Sequence, residues 1–302
     1  MENFKKRSFL SKVMLKAKDI EAYKDYKFLK NLSRITPPDL NFPIKDDYHF
    51  KHSGNSGDII YSLPTVYSLA GNKRAHMHLN IDVKADYGKR SHPLGNVMLN
   101  RKMADMLSPL LVAQPQISSC SVYEQQPIDF DLDLIRTYPL LLNRGNIARW
   151  YFYIFAVNAD LGKPWLQAEP DLSMSDYIVV ARSQRYRAPG ISYSFLKKYR
   201  TIFIGVEQEW KEMKEMVPNI EYRPVKDFLE MAQVIAGSRF FIGNQSFPFS
   251  IAEGLKVRRI LEVYHFSPNV SVEGPDGYDF YFQPQFEKLV QMLMGDSVQP
   301  LR

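Results

Sequence analysis

Apolar positions along this chain change their period at regular intervals. Near the start, Phe9, Leu10, Val13, Met14, Ala17, Ile20 and Tyr23 recur at helical spacing, which predicts an amphipathic helix. Residues 36–43 carry three prolines and end that segment. Beyond it, short apolar or alternating runs predict strands at 48–52, 75–79, 117–123 and 128–135. Helical spacing between and after them predicts helices at 58–69, 97–112 and 147–157. A second break, at 163–175, contains Pro164 and Pro170. After it the alternation restarts, with strands at 177–181, 201–204, 220–222, 239–242 and 259–263. Helices at 195–199, 207–216, 225–236, 249–256 and 285–294 accompany them. Short strands alternating with helices predict mostly parallel sheets covered by helices. Two such runs predict an α/β protein of two Rossmann-like domains facing a central cleft. The expected division is residues 1–45 as a helical extension, 46–168 as the first domain and 169–302 as the second.

Charge sharpens this division. Residues 1–45 hold eleven Lys and Arg against five acids, a net +6, which equals the net charge of the whole chain. The basicity therefore belongs to the extension. The amphipathic helix either packs its stripe on the first domain or lies on an anionic membrane surface through residues 1–34. No nucleic-acid-binding motif follows it, so nucleic acid is not an expected partner. Hydrophobic residues make up 45% of the chain and charged residues 24%, as in an ordinary globular protein. No run approaches the roughly 20 apolar residues of a membrane span, and the first residues lack the apolar stretch of a secretory signal. The expected location is the cytoplasm, with peripheral attachment at the inner face of the membrane as the variant. Cys120 is the only cysteine, which excludes an internal disulfide and a cysteine zinc cage. His76 and His78 lie two apart, as on one face of a surface strand, and no metal site is expected.

Two segments carry candidate chemistry. In His52-Ser53-Gly54-Asn55-Ser56-Gly57-Asp58-Ile59-Ile60-Tyr61-Ser62-Leu63-Pro64 a strand runs through a glycine turn into a helix. Unpaired N–H groups at such a helix start attract anions or oxygen-rich ligands. An ordinary turn with Asp58 helping to cap the helix fits equally. The spacing is neither a dinucleotide fingerprint nor a Walker A loop. In the second segment, 239–255, a buried strand ends at Gly243-Asn244-Gln245-Ser246 and a helix follows. Ser246 is the expected N-cap, and Asn244, Gln245 and Ser246 face a diphosphate. Glu253, deeper in that helix, either accepts from ribose hydroxyls or is a solvated acid.

In this order the two segments resemble glycosyltransferase family 9, the lipopolysaccharide heptosyltransferase-like proteins. Gly57-Asp58-Ile59-Ile60-Tyr61-Ser62-Leu63-Pro64 fits that family's Gly-Asp-x-x-x-x-Leu-Pro signature. Residues 227–244 reproduce its acidic helix, strand and glycine turn. Asn244 stands where the family has Asp, Gln245-Ser246 displaces the next glycine, and Phe249 lies near the place of a common His. The resemblance implies the type B glycosyltransferase architecture, in which the last helix, 285–294, often crosses back to the first domain. It implies an inverting, metal-independent transfer of a sugar from a nucleotide-sugar donor to a glycan or lipid-linked acceptor, with no cofactor. Asp58 takes the general-base role, and the turn Ser53, Gly54, Asn55, Ser56 and Gly57 holds the acceptor. The donor is assigned to Arg182, Arg185, Gly205, Glu207, Gly243, Asn244, Gln245, Ser246 and Glu253. A nucleotide-sugar-binding module without transfer and a nucleotide-sugar epimerase are the alternatives.

Overall fold

The computed structural model describes residues 5–35, 43–85 and 95–296. The first two elements are α1 (Phe9–Lys18) and α2 (Ile20–Leu32), where the apolar stripe predicts one helix. Asp19 makes the break. Its extended backbone ends α1, and its carboxylate accepts the Ala22 N–H at 2.9 Å to cap α2, the role its short acceptor side chain favours. The stripe does not pack on the first half as expected. No α1 residue is buried, and Tyr26 is the only buried residue of α2.

The first half then runs β1 (Asp47–His52), α3 (Ser56–Ala70), β2 (Arg74–Leu79), α4 (Arg101–Val112), β3 (Ile117–Val122), β4 (Phe130–Asp131), α5 (Leu134–Thr137) and α6 (Ile147–Phe155). Its strands form one parallel sheet in the order β3-β2-β1-β4. The second half runs β5 (Ile178–Ala181), β6 (Thr201–Phe203), α7 (Glu207–Met216), β7 (Glu221–Tyr222), α8 (Phe228–Gly237), β8 (Phe240–Asn244), α9 (Phe247–Leu255), β9 (Arg259–Glu262), β10 (Gly277–Phe280) and α10 (Gln283–Met294). Its sheet, also parallel, has the order β10-β9-β8-β5-β6-β7. Counted from its own first strand, that is 3-2-1-4-5-6, the dinucleotide-fold order, and the first sheet is its 3-2-1-4 portion. Strand order reverses between β1 and β4 and again between β5 and β8. Ligands in such sheets sit beyond the carboxyl ends of the strands at these points.

Two expectations need correction, and one strand was not expected. The strand at 128–135 pairs only at Phe130 and Asp131, because Asp131 accepts the Asp133 N–H at 3.0 Å and turns the chain into α5. β10 had no sequence signal, since three of its four residues are only partly buried or exposed. α10 does not cross back to the first half. Phe286 and Val290 join a core made wholly of second-half residues, and Phe286 stacks on Phe280 at 4.1 Å. The other core spans both halves, placing Phe50 and Ile59 in one cluster with Phe241 and Phe249.

Candidate active site

The turn after β1 is built around a buried imidazole. His52 Nδ1 accepts the Gly54 N–H at 2.8 Å, so the ring carries its proton on Nε2. Nε2 donates to the Tyr151 hydroxyl at 2.7 Å, and that hydroxyl donates to the Asp58 carbonyl at 3.2 Å. Both His52 and Tyr151 are fully buried. Burial drives the His52 pKa down to about 4, so the imidazole is a neutral relay that pins the first turn of α3.

The Asp58 carboxylate faces outward from this scaffold. Arg136 on α5 donates to its Oδ2 at 2.8 Å and, through its other terminal nitrogen, to Asp133 at 2.8 Å. Asp133 also accepts the Ser53 N–H at 3.0 Å. Burial works against the charge of Asp133, but the neighbouring His52, the Ser53 hydrogen bonds and the nearby Arg136 charge together hold its pKa below the ordinary value. Burial likewise opposes the Arg136 charge, and the neighbouring Asp58 and Asp133 more than offset it, raising its pKa. Gly54 is required by close approach. A Cβ there would lie 2.2 Å from Arg136 Nη2 and 2.6 Å from the His52 ring. No sequence pattern pointed to Arg136, because only the short β4 and the Asp131 turn bring α5 to the end of β1.

A cavity of about 790 Å³ opens beside Asp58, within the usual range for small-ligand sites. Asn55, Ser56, Gly57 and Asp58 enter its wall from the first half, and Arg182, Arg185, Gly205, Gln245 and Ser246 from the second. α3 packs against α9, so the two helix starts meet at this wall. Gly57 sits where a Cβ would come within 3.8 Å of the Phe247 backbone. Ser53 and Gly54 lie behind the wall as support.

The second half departs from the expected donor contacts in four places. Arg182 is not available to grip a phosphate. Its guanidinium is bound bidentately by Glu262 at 2.7 Å for each pair, stacks on Tyr193 at 4.6 Å and is 4% exposed. Glu262 also accepts from the Tyr193 hydroxyl and the Ala188 N–H, so the four groups form a closed buried knot. Glu253 is neither at a ribose nor solvated. It is 1% exposed, paired with Arg259 and Lys256, and accepts the Glu273 N–H at 3.1 Å. Glu207 points to solvent and pairs with Lys211 at 2.9 Å. The carboxylate that reaches the cavity is Glu209, two residues on. It accepts the Gln184 N–H at 3.1 Å, and burial raises its pKa. Gly243 serves packing, since a Cβ there would lie 2.7 Å from the Phe241 ring and 3.1 Å from the Ala181 carbonyl.

Asn244 is a strut. Its amide donates to the Ser183 carbonyl at 2.7 Å, while its oxygen accepts the Ser183 N–H at 3.0 Å. This pair of hydrogen bonds closes the point where strand order reverses between β5 and β8. Gln245 is equally committed, donating to the Ser267 carbonyl and Asn269 and accepting the Tyr264 N–H. Ser246 occupies the N-cap of α9, but its side chain caps no N–H. Arg185 lines the cavity, with its guanidinium 4.9 Å from the Tyr186 ring centre. Gly205, at φ +128°, takes a conformation only glycine adopts readily. Lys102 on α4 also reaches the cavity, a cation that no motif or spacing selects. Among the described residues no group of three or more His, Cys, Asp or Glu is placed to hold a metal ion. His49, His76 and His78 instead stack along one face of the first sheet, their centroids 4.8 and 5.1 Å apart.

No protein-family model matches the chain, and no curated protein matches it by sequence. Solved structures do match by shape. A glycosyl transferase family 9 protein from Veillonella parvula superposes with a TM-score of 0.52 at 11% identity, over 84% of this chain and 90% of that one. The E. coli heptosyltransferase WaaC with ADP-2-deoxy-2-fluoro heptose gives 0.52 at 9% identity, over 78% and 92%. The E. coli ADP-heptose LPS heptosyltransferase II gives 0.50 at 11% identity, over 82% and 99%. The chain therefore has the type B glycosyltransferase fold of the family 9 heptosyltransferases, as the two motifs implied.

Proposed function

We propose that this protein is an inverting glycosyltransferase that moves a sugar from a nucleoside-diphosphate donor to a hydroxyl of a glycan or lipid-linked acceptor. The observation that carries this reading is the meeting of two helix starts at one cavity, each beyond the carboxyl end of a sheet at its reversal point. One brings Asp58; the other brings Ser246 and the Phe247 N–H at the start of α9, where Pro248 has no N–H and Phe249 donates to the Ser246 carbonyl. The shared fold supports it, since two of the matched structures are described with a heptose nucleotide or as an ADP-heptose transferase.

In this scheme the acceptor hydroxyl lies against Asp58. Its oxygen attacks the anomeric carbon from the face opposite the diphosphate, the carbon–oxygen bond to the diphosphate breaks, and the proton passes to Asp58. The leaving diphosphate carries away the bonding electrons and is held by the α9 start and Arg185. Arg182, Asn244 and Glu262 shape this wall without touching the donor. Arg136 orients the Asp58 carboxylate and is the group an acceptor must share it with. That ion pair also favours a second reading, a nucleotide-sugar-binding module in which Arg136 keeps Asp58 occupied. The epimerase reading has no such support.

The test is a thermal-shift screen of nucleoside-diphosphate sugars, ADP-heptose first, followed by assay of nucleotide release with and without glycan or glycolipid acceptors. Stabilisation by a donor and acceptor-dependent release are expected, since a ligand of the folded state stabilises it by mass action. Stabilisation without release supports the binding module. Donor isomerisation without any acceptor contradicts transfer.

A further inference from the structure

The hairpin of α1 and α2 is explained neither by the fold nor by the cavity. It contributes no residue to either hydrophobic core. Phe9, Leu10 and Met14 are 77%, 72% and 70% exposed. Val13, Ile20, Phe28 and Leu29 also stand in solvent. On α1, Phe9, Leu10, Val13 and Met14 fall within an arc of about 140° at the helical turn per residue. Lys12 and Lys16 edge one side of that arc, and Lys18 the other. Residues 5–35 hold ten Lys and Arg against three acids, a net +7, while the whole chain carries +6. The rest of the protein is therefore slightly acidic, and all the excess positive charge lies on the segment 5–35, which holds the two helices whose apolar side chains are uncovered.

We propose that α1 and α2 form a docking device for the surface of an anionic lipid bilayer. Large apolar side chains left in water on a short helix call for a covering phase. An interface supplies one. The rings and aliphatic groups enter the acyl boundary, the lysine stems run along it, and the ammonium groups reach the headgroup phosphates. A nucleic acid would use the charge and leave the apolar arc uncovered. No helix among the described residues is long and apolar enough to cross a membrane, so the device lies on the surface. It stands apart from the cavity, and the proposal holds or fails independently of the transfer reaction.

Co-sedimentation of the full chain with phosphatidylcholine vesicles, with and without phosphatidylglycerol, tests it. Binding to the phosphatidylglycerol vesicles, weakened by salt, is expected, with little binding to phosphatidylcholine alone. Each Lys→Gln change at Lys12, Lys16 or Lys18 should lower partitioning about fivefold. The pair Phe9→Ser and Leu10→Ser should lower it even at low salt, with an unchanged melting temperature because both lie outside the cores. Negligible binding to either vesicle overturns the proposal. So does equal binding to both, or binding that these substitutions leave intact.

Discussion

Arg136 Nη2 lies 2.8 Å from Asp58 Oδ2, joining α5 to the first turn of α3. This contact decides how the carboxylate is presented to the cavity, and Gly54 makes room for it. A methyl group at Gly54 would fall 2.2 Å from the same Arg136 nitrogen.

Gly54→Ala should therefore displace Arg136 and release Asp58 from its partner. Overpacking of this kind costs about 1–3 kcal/mol. Chemical denaturation should register that loss, and turnover should fall with it. A Gly54→Ala protein of native stability and activity would show that the Arg136–Asp58 contact is not needed.

His52 gives the stability a pH dependence. Its folded pKa is about 4, against an ordinary 6.5, because burial disfavours the imidazolium. Between those values the unfolded chain binds a proton that the folded chain does not. The His52 contribution is thus fully present above pH 6.5 and is lost progressively as pH falls to 4, by about 3 kcal/mol. Denaturation across this window should show the loss in the native protein and its absence in His52→Gln. An amide at this position can still accept from Gly54 and donate to Tyr151.

The two arginines after β5 should separate cleanly. Arg182→Ala leaves Glu262 buried and uncompensated, which costs about 3–5 kcal/mol, so this variant should lose stability. Arg185→Ala should keep the fold and weaken nucleotide binding, read by thermal shift with ADP-heptose. A stable Arg182→Ala protein with weakened nucleotide binding would return the phosphate grip to Arg182.

Periodicity was enough to place most helices and strands, because β5 and β8 are buried runs, β1 alternates between buried and half-buried positions, and the helices α3, α7 and α8 carry plain apolar stripes or caps. β10 and the shortness of β4 were not legible, since half-exposed strands and side-chain turns leave little pattern. Within the site, the motif turns led to Asp58 and Ser246. Arg136 was hidden because its partner lies 78 positions away. Arg182 and Glu253 were misread for one reason: a charged side chain in a motif looks like a ligand contact until its buried counter-ion is seen. Asn244 also changes meaning, from a donor contact to a strut that needs both an amide donor and an acceptor. Asn244→Asp would set a buried carboxylate oxygen against the Ser183 carbonyl. A loss on the order of 2 kcal/mol is expected in denaturation, and none would count against the strut.

In the proposed transfer Asp58 takes the proton of an attacking acceptor hydroxyl. The direct measurement is acceptor-dependent nucleotide release by the native protein and by Asp58→Asn, with donor binding followed in parallel by thermal shift. Turnover should fall about 10²–10⁴-fold with donor binding retained. A folded Asp58→Asn protein that turns over at the native rate would contradict it.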